Sequence, residues 1–378
     1  MFLEILTFYT LMASLTFTKL DIPLSIIENC GTNIDQIKLA ESQLSSDEKK
    51  YFIWMLKHMP LRDLKVLSSE FLVTNLRIAL KAWNESPWKD KIPEKIFLNN
   101  ILPYSNVDES RDMWRLDFYN QFISLIKDAT SISEAAAILN NKIFGLLKVS
   151  YSTKRPKANQ SPYESIEAGI ASCTGLSILL IDACRSVGIP ARFVGTPLWH
   201  DGSGNHSWVE VWDGNWHFTG AAEPSGILLN KGWFQGRASR AKAGTKSGIY
   251  AVTWENSLNT FPMSWNIDET FVRAVDVTHR YTNEQKIDNK LSTALVRFRV
   301  LNKQGFRVSM PIEIGSIDSN LNIKIFGQTN DESFDSNDHL EKTLPAGEKF
   351  ILRIKHTDIK KIFIAENFKL VSLNLKED

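Results

Sequence analysis

The stretch SIEAGIASCTGLSILLIDACRSVGIPARFVGT, residues 165–196, decides the fold, because it sets a cysteine at the mouth of an apolar helix. Leu176, Leu179, Leu180, Ala183, Cys184 and Val187 recur at three- and four-residue spacing, so they share one stripe. Gly188-Ile189-Pro190 then reads as a stop, with glycine just past the helix end and proline beyond it. Counted back from that stop, Cys173 falls in the first turn. Unpaired backbone N–H groups and the positive end of the helix dipole favour an anion there, so a thiolate is expected. Ala171, Ser172, Thr174 and Gly175 are small and leave room for a substrate backbone. A free cysteine is more often a small buried hydrophobe, and that reading fits Cys184, inside the stripe. For Cys173 the position alone leaves both readings open.

A nucleophile needs a base. His206 opens the run HSWVEVW directly after the loop HDGSGN. Strand alternation sends Val209 and Val211 to one face and His206, Trp208 and Glu210 to the other. The imidazole in turn needs a group to orient it. If Asp213-Gly214 is a two-residue turn, Trp212 faces Asn215 and His206 faces Ala221. Glu223 then lies on the face of His206, diagonal to it. A three-residue turn reverses the parity and sends Glu223 away.

The 378 residues carry 43% hydrophobic and 23% charged side chains, with 44 basic against 43 acidic, a formal charge of +1. That balance is ordinary for a folded globular chain and gives no footprint for nucleic acid. The basic cluster STKRPK at 152–157 reads as a solvated loop. Three cysteines, Cys30, Cys173 and Cys184, make no disulfide framework. His200, His206, His217 and Cys173 fit no zinc spacing, so neither metal nor cofactor is expected. Residues 1–20 hold an apolar stretch of signal-peptide length without a basic start or a clean cleavage site, read as a leader or a buried helix. A leader would imply a secreted or periplasmic protein. No later run is apolar enough for stable membrane insertion. From about 46 to 145 the spacing is helical, with a capping start at SSDE and a second at Ser131 or Ser133. From about 285 onward TALVRFRVLN, RVSMPIEIG, LNIKIFGQT and KFILRIKHT alternate in period two, as in a small antiparallel β-sandwich. The fold class expected is α+β.

The run GIASCTGLSILLIDACRSVGIPARFVGT…HSWVEVWDGNWHFTGAAEP resembles the core of the transglutaminase-like superfamily, relatives of papain-type cysteine proteases. The resemblance implies a papain/transglutaminase-like core, its antiparallel sheet packed on the cysteine-bearing helix, with Cys173 as nucleophile and His206 as general base. The family's third member is normally an aspartate, and Glu223-Pro224 is the nearest counterpart here. The organisation expected is a helical region at 21–129, a transglutaminase-like domain at 130–285 and a sandwich domain at 286–378. The chemistry implied is thiol-dependent acyl transfer on a protein or peptide, with hydrolysis of a peptide, isopeptide or glycopeptide amide through a thioester. A true amine-acceptor transglutaminase and an inactive binding or assembly module are the alternatives. The Cys173 backbone N–H is the natural oxyanion donor. Gln160 joins it if its loop folds back, and Trp208, with Trp199 and Trp212, is expected to wall the cleft.

Overall fold

The computed structural model describes residues 22–282, 292–318 and 322–375. The leader-like segment at 1–20 and the domain boundary expected at 285/286 lie outside the described residues.

Helices fill the chain from Leu24 to Leu147, and their apolar faces belong to one core that runs from Ile22 to Ala274. Start signals explain where they begin. Ser45 caps Ser46–His58 in a reciprocal capping box with Glu48, and Ser131 caps Ile132–Leu147 by accepting from the Glu134 N–H at 3.1 Å.

The helix Cys173–Ser186 is the centre of this core. Ser172 caps it, accepting from the Gly175 N–H at 3.1 Å. Its far end closes as the glycine stop requires. Gly188 adopts φ +81, its N–H reaches the Arg185 carbonyl at 3.3 Å, and the Ile189 N–H reaches that of Cys184 at 2.9 Å. Every residue from Thr174 to Ser186 is buried, not only the expected stripe. The N-terminal helices cover the remaining face through polar contacts as well as apolar ones. Arg185 donates to the carbonyls of Ala191 and Ser105, both at 3.0 Å. Arg115 donates to Asn75 and to the Pro103 carbonyl, and Asp182 accepts from Asn106 at 2.9 Å. Truncating one of the buried leucines here to alanine removes about 2–5 kcal/mol.

Against the helix lies a six-stranded sheet in the order Asn215–Thr219, His206–Asp213, Ala191–Thr196, Tyr250–Val252, Arg273–Asp276, Asn259–Thr260, with every pairing antiparallel. Alternation holds along His206–Asp213. Val209 and Val211 join the helical core, while Trp208 joins a second cluster with Trp199 and Phe234 on the other face.

The hairpin register differs from expectation. Asp213 pairs with Asn215 and Trp212 with Trp216, so Gly214 alone forms the apex at φ +74. The reason lies at a helix end eighty positions upstream. The Asp213 carboxylate accepts the Ser133 N–H at 3.1 Å, in the first turn of Ile132–Leu147, so Asp213 serves a helix end instead of the turn.

Residues 293–374 form two four-stranded sheets around a separate apolar core. One pairs Thr293–Leu301 with Arg307–Val308, Leu340–Pro345 and Lys369–Asn374; the other orders Lys324–Gln328, Pro311–Ser316, Lys349–Ile354 and Lys360–Ile364. The expected sandwich is present, but it is not wholly antiparallel. Lys369–Asn374 runs parallel to Thr293–Leu301, which among the described residues joins the last strand to the first strand of the sandwich.

A Cβ at position 188 would sit 2.5 Å from the Ala82 carbonyl oxygen, in a backbone conformation that non-glycine residues avoid. Gly188→Ala is therefore expected to destabilise the protein by about 1–3 kcal/mol from backbone strain, with the clash in addition. Urea unfolding monitored by circular dichroism measures it.

Candidate active site

Cys173 is the first residue of its helix and lines two cavities, one of them together with Thr174. Helix geometry leaves its N–H without an intrahelical acceptor, which suits it to face an oxyanion. A hydrogen bond ties this tip to the start of the histidine strand: the Thr174 and Ser207 hydroxyls meet at 3.1 Å. His206, one residue earlier on that strand, lines a cavity together with Cys173.

Cys173, His206 and Glu223 line one cavity of about 360 Å3. Glu223 arrives by a different route from the one expected. The observed register puts it out of step with His206, but the strand ends at Thr219 before that matters. A turn follows, in which the Glu223 N–H reaches the Gly220 carbonyl at 3.2 Å and Ala222 takes φ +61. Buried Asn140 pins this turn, donating to Thr219 and to the Gly220 carbonyl and accepting from the Ala222 N–H at 2.9 Å. Burial raises the Glu223 pKa and the neighbouring Trp233 side chain opposes the rise; the Trp233 ring centroid lies 4.8 Å from the imidazole.

The imidazole is only 3% exposed and packs among Trp199, Trp208, Trp233 and Phe234. Its Nε2 has no hydrogen-bond partner among the described residues. Burial pulls its pKa down to about 3, against the opposing charge of Asp335. Burial likewise pushes the Cys173 thiol up to about 11, with Asp335 and Glu223 adding to the rise and the Ser207 N–H and Arg155 opposing it. The thiolate expected from the helix dipole is therefore not the resting form. The pair rests neutral, because desolvation outweighs the dipole.

Two of the residues singled out in the sequence lie elsewhere. Trp208 is fully buried and donates its indole N–H to Tyr281 at 2.8 Å, so it backs His206 and does not line the cavity. The loop of Gln160 does fold back beneath the helix's first turn, close to Gly175. Its amide nitrogen is spent on the carbonyls of Ile170, at 3.0 Å, and Glu164. Glu210, on the face of His206, is held by Arg192, Arg280 and Tyr281 as a structural ion cluster.

The larger omission from the sequence reading is the sandwich. Its segment Asp335–Asn337 and the exposed Tyr151 lie between the cavity above and a second one of about 160 Å3 that also touches Cys173. The Tyr151 hydroxyl donates to the Asp335 carboxylate. The Asn337 side chain accepts from the Trp199 indole at 2.7 Å and from Arg237 at 3.1 Å, and donates to the Asn205 carbonyl at 2.8 Å. Arg297, fully buried, pairs with Asp201 at 2.5 Å, and Arg299 donates to the Gly202 carbonyl. The HDGSGN loop that leads into His206 is thereby held by the sandwich. No local pattern in the sequence announces such a contact; the arginines on the period-two run TALVRFRVLN are its only trace.

Residues 121–234 match the family model described as the transglutaminase-like superfamily, a span that contains Cys173, His206 and Glu223. No curated protein is significantly similar to this chain in sequence. Among solved structures, one similar protein is a candidate cysteine protease from Cytophaga hutchinsonii, 19% identical over 34% of this chain and 45% of that one, with a TM-score of 0.27. Red sea bream transglutaminase is 7% identical over 78% of this chain and 59% of that one, with a TM-score of 0.26. The match thus spans less than two thirds of the length of either protein. By the family model, the segment from residue 121 to residue 234, with its cysteine helix and histidine strand, is transglutaminase-like.

Proposed function

We propose that the protein is a thiol-dependent acyl-transfer enzyme that hydrolyses an amide of a protein or peptide, with Cys173 as nucleophile and His206 as general base. The observation that carries this reading is that Cys173, at the helix tip, and His206 line one cavity. The two cavities that meet at Cys173 supply a path across the sulfur for the two sides of a scissile bond.

The chemistry starts from a neutral pair. As the sulfur adds to the amide carbonyl, His206 takes the thiol proton and the Cys173 N–H donates to the oxyanion. The imidazolium then gives that proton to the departing amine, leaving a thioester. Water, deprotonated by His206, adds to the thioester and releases the acid and the free thiol. Asp335 favours the imidazolium by charge. Glu223, the acidic member of the constellation, neighbours Trp233, which packs against the imidazole.

A second reading, an inactive binding or assembly module, is favoured by the raised thiol pKa alone. Alkylation separates the two. Iodoacetamide followed by peptide mass mapping is expected to modify Cys173 well ahead of Cys30 and Cys184, which are buried. Equal, slow labelling of all three would sink the catalytic reading. Only the thiolate reacts, and a pKa near 11 leaves little of it at neutrality, so the Cys173 rate should climb about tenfold per pH unit from 7 toward 10 without a plateau.

Asp335→Asn removes a charge that raises the thiol and favours the imidazolium. It is expected to speed alkylation at pH 8 several-fold while lowering kcat for amide hydrolysis. Cys173→Ala should abolish hydrolysis and leave the circular dichroism spectrum unchanged. Glu223→Gln keeps the size of the side chain beside Trp233, so its kcat should fall by only about tenfold, less than the loss usual for a directly bonded triad member.

A further inference from the structure

The 360 Å3 cavity on the His206 side of Cys173 carries acidic groups beyond the Asp335 and Glu223 that act on the catalytic pair. Its wall from the sandwich carries Asp335, Asp338 and Glu341, and Glu223 faces it from the other side. Arg237 also lines it, but is already engaged by Asn337 at 3.1 Å and by Glu341 at 3.9 Å. An acidic lining alone is commonly just a solvated face.

His339 gives this one a direction. It lines the same cavity and is only 9% exposed. Its Nδ1 lies 3.3 Å from the Asn337 carbonyl, and a carbonyl can only accept, so Nδ1 carries the proton. Burial and the nearby Arg307, Arg297 and Arg299 pull its pKa down to about 4, so the ring is neutral. Its Nε2 is then a lone pair, and it has no partner among the described residues. A buried acceptor without a donor costs about 1–3 kcal/mol unless a ligand or water satisfies it. The sandwich side of the chamber therefore presents carboxylates and one buried lone pair, all of which want N–H donors.

We infer that this chamber receives the cationic side chain, lysine or arginine, of the peptide whose amide is attacked. An ammonium or guanidinium group has several donors and no acceptor, which complements His339, Asp338 and Glu341 together. The inference rests on the proposed function only in that the chamber opens on Cys173.

The test is binding without turnover. Acetylated and amidated Gly-Lys-Gly, Gly-norleucine-Gly and Gly-Glu-Gly are titrated calorimetrically into the full-length Cys173→Ala protein. The lysyl peptide is expected to bind at least about tenfold more tightly than the norleucyl one, the order of one well-placed charged contact, and the glutamyl peptide more weakly than either. The preference should shrink with added salt. It should vanish when Asp338→Asn and Glu341→Gln, both at exposed positions outside either core, are added. Equal binding of the lysyl and norleucyl peptides, or no binding of either, overturns the inference. So does a wild-type product in which free lysine amide replaces water on the acyl group, because the cation would then be the second substrate. Lysyl preference without preferential alkylation of Cys173 would leave the chamber standing and remove the enzyme.

Discussion

The structure depends on a helix that is buried along its whole length and open only at its first residue. A helix in that position can hide its apolar stripe on any side, but its polar groups each need a specific partner. Arg185 finds backbone carbonyls, Asp182 finds Asn106, and Ser172 caps the N-terminus. Because these partners come from the segment between the helices Glu94–Asn100 and Trp114–Phe122 and from the sheet, the helix is fixed in rotation and in depth. The sulfur at its tip is therefore placed by the whole core, not by a loop.

The imidazole is placed differently. Strand pairing sets its height, since His206 pairs with Thr196 on the neighbouring strand. The aromatic rings around it set its direction. The approach to it is controlled from outside, where Arg297 holds Asp201 and Asn337 holds Asn205 just ahead of the strand. The sandwich has its own apolar core, yet it reaches the site with polar and charged side chains. Such contacts are directional and few, so they specify geometry while contributing little bulk stability. A conformational change that let go of them would alter access to Cys173 without disturbing either core.

Much of this was legible in the chain, for identifiable reasons. The cysteine helix was readable because its cap, its stripe and its glycine stop are all local, and Gly188 is needed both for its φ and for the close approach of Ala82. The facing of Val209 and Val211 followed from period two. The hairpin register was not readable, because Asp213 is drawn away by a helix end eighty positions upstream. Glu223 was assigned to the site by an argument about strand parity, and it reaches the cavity by a turn that parity does not govern. The parallel closing strand and the Asp335–Asn337 segment depend on contacts between distant parts of the chain, which no window of residues encodes. Trp208 illustrates the converse error. Alternation correctly put it on the face of His206, but whether that face meets solvent or more protein is a tertiary fact.

The ionisation of the cysteine is the most instructive difference. A helix N-terminus offers a thiolate a stabilisation of at most about 2 kcal/mol. Closing a cavity around it imposes a desolvation cost that can shift a pKa by several units. Asp335 adds a like charge beside the sulfur, so the balance falls on the neutral side. The same carboxylate favours a positive imidazole. A neutral thiol and a neutral imidazole in one cavity store no charge at rest, and an anion at the sulfur becomes favourable only when a proton can move to His206 as the bond to carbon forms. Asp335 thus works against a free thiolate and in favour of the proton transfer that accompanies attack. The distinction matters physically, since a resident thiolate would react with any small electrophile that entered. A sulfur activated only during addition responds to substrates held against the helix tip.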